Sequence, residues 1–301
     1  MKTTARQLTT YGNIALVQIE ARPETTFPFS PGEPEIRNGR LIISEATGQG
    51  IVGKLIAENL TGAFLLLTDA DVLIGAKQNR VLNKSVLLAP GSKTILDVSC
   101  IERLRWHYTT NNFTAPGPVA DSDLREEKLR SVARKKTSPA TPDYETQSQV
   151  WDHISKKMAS ANFESATESY ASMIYCKIDM AKREFPACNP EKGCNGLAVL
   201  IDGKVSCIDL FGTEEVFRHY FPKLRDSAFS LSAAGKDVKP VDVHEAYFRV
   251  LDTIDTFEAA RRHTDDSYAG AGSFKIVEGQ NMVGFELNRE GEMVHDVVFV
   301  R

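Results

Sequence analysis

The 301-residue sequence lacks most signatures that name an enzyme class. It contains no P-loop, no Gly-x-Ser-x-Gly elbow, no His-Glu-x-x-His pair and no Rossmann glycine string after a first strand. It lacks any run near the about 18 apolar residues that a membrane helix needs, and its first ten residues are polar, without an apolar signal core. Export and membrane insertion are therefore not expected, and the chain reads as cytoplasmic. Cysteine is sparse: Cys100, Cys176, Cys188, Cys194 and Cys207 are an odd number at irregular spacings, with no Cys-x-x-Cys pair and no histidine placed to complete a zinc knuckle. That pattern predicts reduced thiols and no metal site. Cys188 and Cys194 bracket a loop containing Pro and Gly, and spacing alone leaves their pairing open. Neither sign of charge dominates, since 36 Lys and Arg stand against 40 Asp and Glu for a net charge of −4. The balance argues against nucleic acid or an anionic membrane as a partner.

What is present is an ordinary globular composition, 42% hydrophobic and 25% charged. Asn13–Ile19 and Leu41–Ser44 read as strands across a Pro-rich connection. Lys54–Glu58, Ala63–Thr68, Val72–Gly75, Ser85–Leu88 and Thr94–Ser99 are short apolar runs split by turn residues. Beyond residue 110 the chain turns polar, and Arg125–Lys136 holds six basic residues beside two glutamates. Helical spacing follows over Thr146–Ser160 and Phe163–Glu184. Asp202-Gly203 between two apolar runs marks a hairpin, Thr213 followed by Glu214 and Glu215 marks a helix start toward Ala233, and Val241–Arg262 reads as a helix. A second hairpin turns at Asn288–Gly291, and aligning the two places Val205, Cys207 and Phe211 on Met293, His295 and Phe299. The predicted class is α+β: a small N-terminal β sandwich or barrel over residues 1–110, an exposed linker over 111–145, and an α+β part with two helix-plus-hairpin units over 146–301. Tyr268–Ser273 is glycine-rich and reads as a flexible linker.

Two polar clusters interrupt the apolar pattern. In Lys77-Gln78-Asn79-Arg80, lysine offers a point charge, arginine a bidentate fork for phosphate or carboxylate, and the two amides match amide or base edges. The same residues also suit a polar turn with solvated charges. The second cluster is Cys100, Glu102, Arg105 and Trp106. A thiol beside Arg105 has its thiolate favoured, and an indole supplies a stacking surface; alternatively these are a core thiol, a Glu–Arg pair and a core ring. His295 stands on an apolar strand, where a hydrogen-bonded core histidine is expected, and Asp209 suits a carboxylate that orients a histidine or a ribose, or faces an edge.

The string Gly75–Arg80 with Asn83, Ser85, Val98–Glu102 and Arg105-Trp106 resembles the ARPP-1 domain, a bacterial family described as a domain of unknown function. Gln149-Val150-Trp151, Asp209-Leu210-Phe211 and Phe221-Pro222-Lys223-Leu224 resemble its later landmarks, so the likeness runs from Leu41 to Ala234. One position departs from the family pattern: Asp69-Ala70 replaces an Asp-Gly turn, and alanine tolerates positive φ poorly. The family is named for association with ADP-ribosylglycohydrolase and rhodanese-phosphatase proteins, which implies a place in the metabolism of NAD-derived or ADP-ribosyl compounds. It implies no catalytic residue set and no cofactor. Three functions compete on this sequence. The first is binding or processing of a phosphorylated, nucleotide-like small molecule by both clusters in one cleft. The second is a non-catalytic interaction module or homo-oligomer using them as an interface. The third, single-strand RNA binding through Arg125–Lys136 with Trp106, His107 and Tyr108, is disfavoured by the acidic balance.

Overall fold

The computed structural model describes the backbone of residues 1–48, 50–115, 117–137, 143–232 and 241–301, and side chains among them outside 135–146. The chain divides into two compact units: Met1–Pro28 with Met180–Tyr268 and Gly272–Arg301, and Phe29–Asp179 with Ala269–Ala271.

The first unit is built on an eight-stranded sheet. Numbered along the chain, its strands lie in the order β1 (Lys2–Tyr11), β2 (Ile14–Arg22), β12 (Gly196–Ile201), β13 (Lys204–Phe211), β17 (Glu292–Val300), β16 (Met282–Arg289), β15 (Ser273–Glu278) and β14 (Arg261–Thr264). Every neighbouring pair is antiparallel. The run Ile14–Ile19 is buried throughout, as a strand covered on both faces must be. Helix α6 (Val243–Ala259) covers one face, with Ala246, Val250, Ile254 and Phe257 at helical spacing packed on Val17, Ile19, Ala198, Ile208 and Leu210. Phe211, the residue after Leu210, points to the other face and stacks on Tyr220 of α5 (Glu214–Phe229) at 5.5 Å. Both expected hairpins are present, and Asp202-Gly203 and Glu290-Gly291 take the positive φ values of a two-residue primed turn. Thr213 caps α5 by accepting from the Val216 amide at 3.3 Å. The expected end of that helix at Ala233 lies outside the described residues.

The second unit holds a six-stranded, nearly closed barrel-like sheet in the order β11 (Phe113–Thr114), β7 (Val72–Gly75), β8 (Arg80–Leu82), β10 (Lys93–Cys100), β5 (Lys54–Asn59) and β4 (Leu41–Glu45), whose two edge strands approach each other. A three-stranded sheet of β3 (Ser30–Pro31), β6 (Leu65–Leu67) and β9 (Val86–Leu88) accompanies it. Its helices are α1 (Glu33–Arg37), α2 (Ser122–Thr137) and α3 (Asp143–Ser160), and α4 (Tyr170–Ala181) begins in it. Among the described residues no helix is long and apolar enough to cross a membrane.

The architecture is α+β with a barrel-like sheet, but its division differs from the expected one. Residues 1–22 do not belong with the barrel: β2 pairs along its length with β12, a partner nearly two hundred residues away in sequence that local patterning does not reveal. The Asp69-Ala70 turn avoids positive φ altogether, closing through Asp71 N–H to Thr68 O at 3.0 Å and Thr68 N–H to the Asp71 carboxylate at 2.7 Å. Tyr268–Ser273 is no free linker, since the Ala271 amide donates to Leu87 O at 2.7 Å.

The expected exposed linker is also corrected. Its basic run forms α2, which buries Leu124 and Leu129 together with two of the cations. Arg125 makes a bidentate pair with Asp69, both contacts at 2.9 Å, and Lys128 Nζ donates to Asp69 O at 2.6 Å and to Leu82 O. Cations held this way are unavailable to RNA. Burial pushes the Lys128 ammonium down to about 7, with Asp69 partly opposing and Arg125 reinforcing the shift. The unfolded chain therefore keeps this proton up to a pH near 10.5 while the folded chain releases it near 7. The cost of burying the charge is fully present below pH 7 and is relieved as pH rises through that window. Relative to Lys128→Met, the parent should gain up to about 1.4 kcal/mol per pH unit between pH 7 and 9, read from urea unfolding at each pH.

Candidate functional site

The segment 75–80 leaves β7, turns and enters β8, where Arg80 pairs across to Leu73 on one side and Cys100 on the other. The turn requires Gly75 at φ +121 and holds Ala76 at φ +40, a conformation that costs an L-residue about 1–2 kcal/mol. That strain persists because Arg105 holds the turn from within. Its Nε donates to Glu102 at 2.8 Å, Nη1 to Ala76 O at 2.7 Å and His107 O at 3.1 Å, and Nη2 to Gly75 O at 3.3 Å and Asn79 Oδ1 at 3.0 Å. Glu102 accepts in addition from the Asn79 amide at 3.1 Å and Thr167 at 2.7 Å. These bonds, Arg105 foremost among them, hold the Glu102 carboxyl below its usual range although burial alone would raise it. Glu102, Arg105 and Asn79 thus form one buried, satisfied network, as a core Glu–Arg pair would.

The remaining predicted residues gather around Trp106. The Lys77 ammonium lies 5.4 Å from the Trp106 ring centre and 5.1 Å from that of Tyr108, and the Arg80 guanidinium carbon lies 5.7 Å from the Trp106 ring. Trp106 is not the core indole of the alternative reading: it is 45% exposed and Tyr108 46%, whereas Arg80 is 0% exposed. Gln78 accepts from Arg80 Nη1 at 2.8 Å. Arg80 Nε and Nη2 have no hydrogen-bond partner among the described residues. Those two nitrogens form the edge of a guanidinium that grips a carboxylate or phosphate with two parallel bonds. Cys100 lies against the same arginine, not Arg105. Its backbone is clamped by Gln147, which accepts from its N–H at 2.8 Å and donates to its carbonyl at 3.0 Å. Burial pushes the thiol up to about 11 despite Arg80, so the expected thiolate is corrected to a neutral thiol.

Two residues of this cluster, Glu45 and Gly50, are absent from the sequence reading. Glu45 is buried, accepts from the Lys77 amide at 3.2 Å, and leaves Oε2 without a hydrogen-bond partner among the described residues. A Cβ on Gly50 would lie 3.3 Å from each of Glu45 Oε2, Lys77 Cδ and Trp106 Cζ2, so the glycine lets the backbone pass close to all three. Tyr108, named in the sequence only beside the single-strand reading, belongs to this cluster through Lys77. The signal for Glu45 was its phase: it continues the inward alternation Leu41, Ile43, one residue beyond the expected strand end.

In the first unit, His295 Nε2 lies 3.2 Å from Asp209 Oδ1, its ring stacks on Phe211 at 4.5 Å, and Cys207 Sγ lies 3.4 Å from Asp209 Oδ2. All are buried, as a hydrogen-bonded core histidine should be. The aligned hairpin strands are direct neighbours, with Phe211 opposite His295 and Cys207 opposite Phe299.

A family model described as the ARG and Rhodanese-Phosphatase-superfamily-associated Protein domain, ARPP-1, matches residues 2–299. No curated protein and no solved structure matches the chain.

Two outcomes follow from the packing of these side chains. Arg105→Ala leaves Glu102 as an uncompensated buried charge and should lower the unfolding free energy by about 3–5 kcal/mol in chemical denaturation. None of the five cysteines is in a disulfide, and only Cys176 is not buried. Titration of the native protein with a thiol reagent at pH 7 should therefore find one reactive thiol, lost in Cys176→Ser, and all five only after denaturation.

Proposed function

The chain belongs to the ARPP-1 family, and on that premise we propose that it binds a phosphorylated, nucleotide-like small molecule of the ADP-ribose class at the Lys77–Arg80–Trp106 cluster. The observation that carries this reading is the unpaired Nε–Nη2 edge of the wholly buried Arg80. An unmet buried donor costs about 1–3 kcal/mol, and a phosphate or carboxylate oxygen pair removes that cost. The charges suit an anion: Glu102 and Arg105 cancel, leaving Lys77 and Arg80 against Glu45. Glu45 Oε2 then accepts from a sugar hydroxyl, and the exposed faces of Trp106 and Tyr108 stack on a base. Trp106 covers the guanidinium and is the group that moves to admit the ligand. The assembly acts as a receptor, because Cys100 is a neutral thiol and Glu102 is held by Arg105.

The test is thermal unfolding with ADP-ribose, NAD, AMP and inorganic phosphate. A ligand at about 100 times its Kd stabilises by about 2.7 kcal/mol, a shift of several degrees. Arg80→Lys keeps the charge and lacks the fork, and should lose most of that shift. Absence of a shift with every compound, or an unchanged shift in Arg80→Lys, would overturn the reading. A change in Trp106 fluorescence on binding, measured in a Trp151→Phe background, checks the movement of the ring.

A further inference from the structure

The first unit contains a cavity of about 360 Å³ whose lining includes Phe257, Glu258, Arg262, Glu286, Met293 and Asp296. Its chemistry is the reverse of the Arg80 cluster. Glu286 and Asp296 are directly opposite each other on β16 and β17, so both carboxylates stand on the same face of the sheet. Arg262 is committed to other acceptors: Nε donates to Glu286 at 2.7 Å, and Nη1 donates to Glu258 O at 2.9 Å and Ala260 O at 2.7 Å, closing the C-terminal end of α6. Glu258 faces the Met1 amino nitrogen at 3.2 Å. Asp296 is nine-tenths buried, and its Oδ1 has no hydrogen-bond partner among the described residues.

We propose that this cavity binds a small organic cation, a primary ammonium on an aliphatic stem, which donates to Asp296 Oδ1 while its stem lies against Phe257 and Met293. The groups facing Asp296 are Glu286, Arg262, Glu258 and the Met1 ammonium. With Asp296 protonated, two carboxylates balance two cations; once Asp296 ionises, the cavity is short by one positive charge. A monocation supplies that charge, an anion meets repulsion, and a neutral alcohol fills the volume without it. Desolvation, then Glu286, holds the Asp296 carboxyl well above its usual range, and an ammonium in the cavity opposes both effects by favouring the carboxylate. At any pH where the free carboxyl holds its proton, the Asp296 O–H breaks on binding, the proton passes to buffer, and the ammonium N–H takes its place.

The experiment is calorimetric titration of the full chain with n-butylammonium chloride at pH 7, in phosphate and in HEPES, whose ionisation enthalpies differ. Expected are one site and, over the pH range in which Asp296 is protonated in the free protein, proton release on binding with an affinity that rises as pH increases. n-Butanol should not bind, and magnesium chloride should neither bind nor compete. Asp296→Asn keeps the shape of the site without its ionisable group, and should bind at least tenfold more weakly with no proton released. Absence of butylammonium binding, equal binding of n-butanol, competition by magnesium, or unchanged proton release in Asp296→Asn would each overturn the proposal. Discrimination by the parent between n-butylammonium and n-butanol decides the matter if that variant does not fold. None of these readouts depends on Arg80.

Discussion

Glu102 and Arg105 meet where water is excluded, and a buried ion pair survives there only if every remaining donor and acceptor is also met. The way those demands are met shapes the second unit. The guanidinium reaches the carbonyls of Gly75, Ala76 and His107 and the side chain of Asn79, so the turn between β7 and β8 cannot relax although Ala76 sits in a left-handed conformation. With that turn held, β8 begins at Arg80, Gln78 lies against the same arginine, and the segment carrying Trp106 is tied to the strand it covers. A network that looks like ordinary core packing thereby positions the residues that have no structural duty of their own.

The contrast among the buried charges is informative. Arg125 meets Asp69 through two bonds, Lys128 donates to two carbonyls, and Lys157 bridges Asp121 and Asp123 at 2.8 and 2.9 Å. Each of these cations is answered within the fold. Among the described residues Arg80 is hydrogen-bonded only through Nη1, and Asp296 leaves one oxygen without a hydrogen bond beside a cavity. Low polarisability makes an unmet buried group costly, and the same property makes a ligand that meets it bind strongly. One site offers donors under an aromatic cover and the other offers an acceptor among carboxylates, so the ligands proposed for them are of opposite charge.

Much of this was legible along the chain. Short apolar runs and their turn residues predict the barrel-like sheet, Asp202-Gly203 predicts its hairpin, and Thr213 with two following glutamates predicts the start of α5. These features are local: period, turn chemistry and capping act over a few residues. Strand β1 was missed because its side chains are half-buried and polar, and β8 was missed because its first residue closes a string of four polar positions. Strand β1 is an edge strand held by β2 across the Gly12-Asn13 turn, and β8 is completed by β7 on one side and β10 on the other, so pairing and not apolar patterning makes them strands.

The same distinction separates the candidate site from its surroundings. Composition and motif were enough to single out Lys77–Arg80 and Cys100–Trp106 as anomalous polar clusters and to connect them with a family. They did not say which members are absorbed into the core. Only the tertiary structure assigns Asn79, Glu102 and Arg105 to internal bonding, turns Cys100 into a neutral thiol, and adds Glu45 from a strand thirty residues upstream. Residue identity fixes how many hydrogen bonds a side chain can make, whereas the fold decides how many of them are already taken.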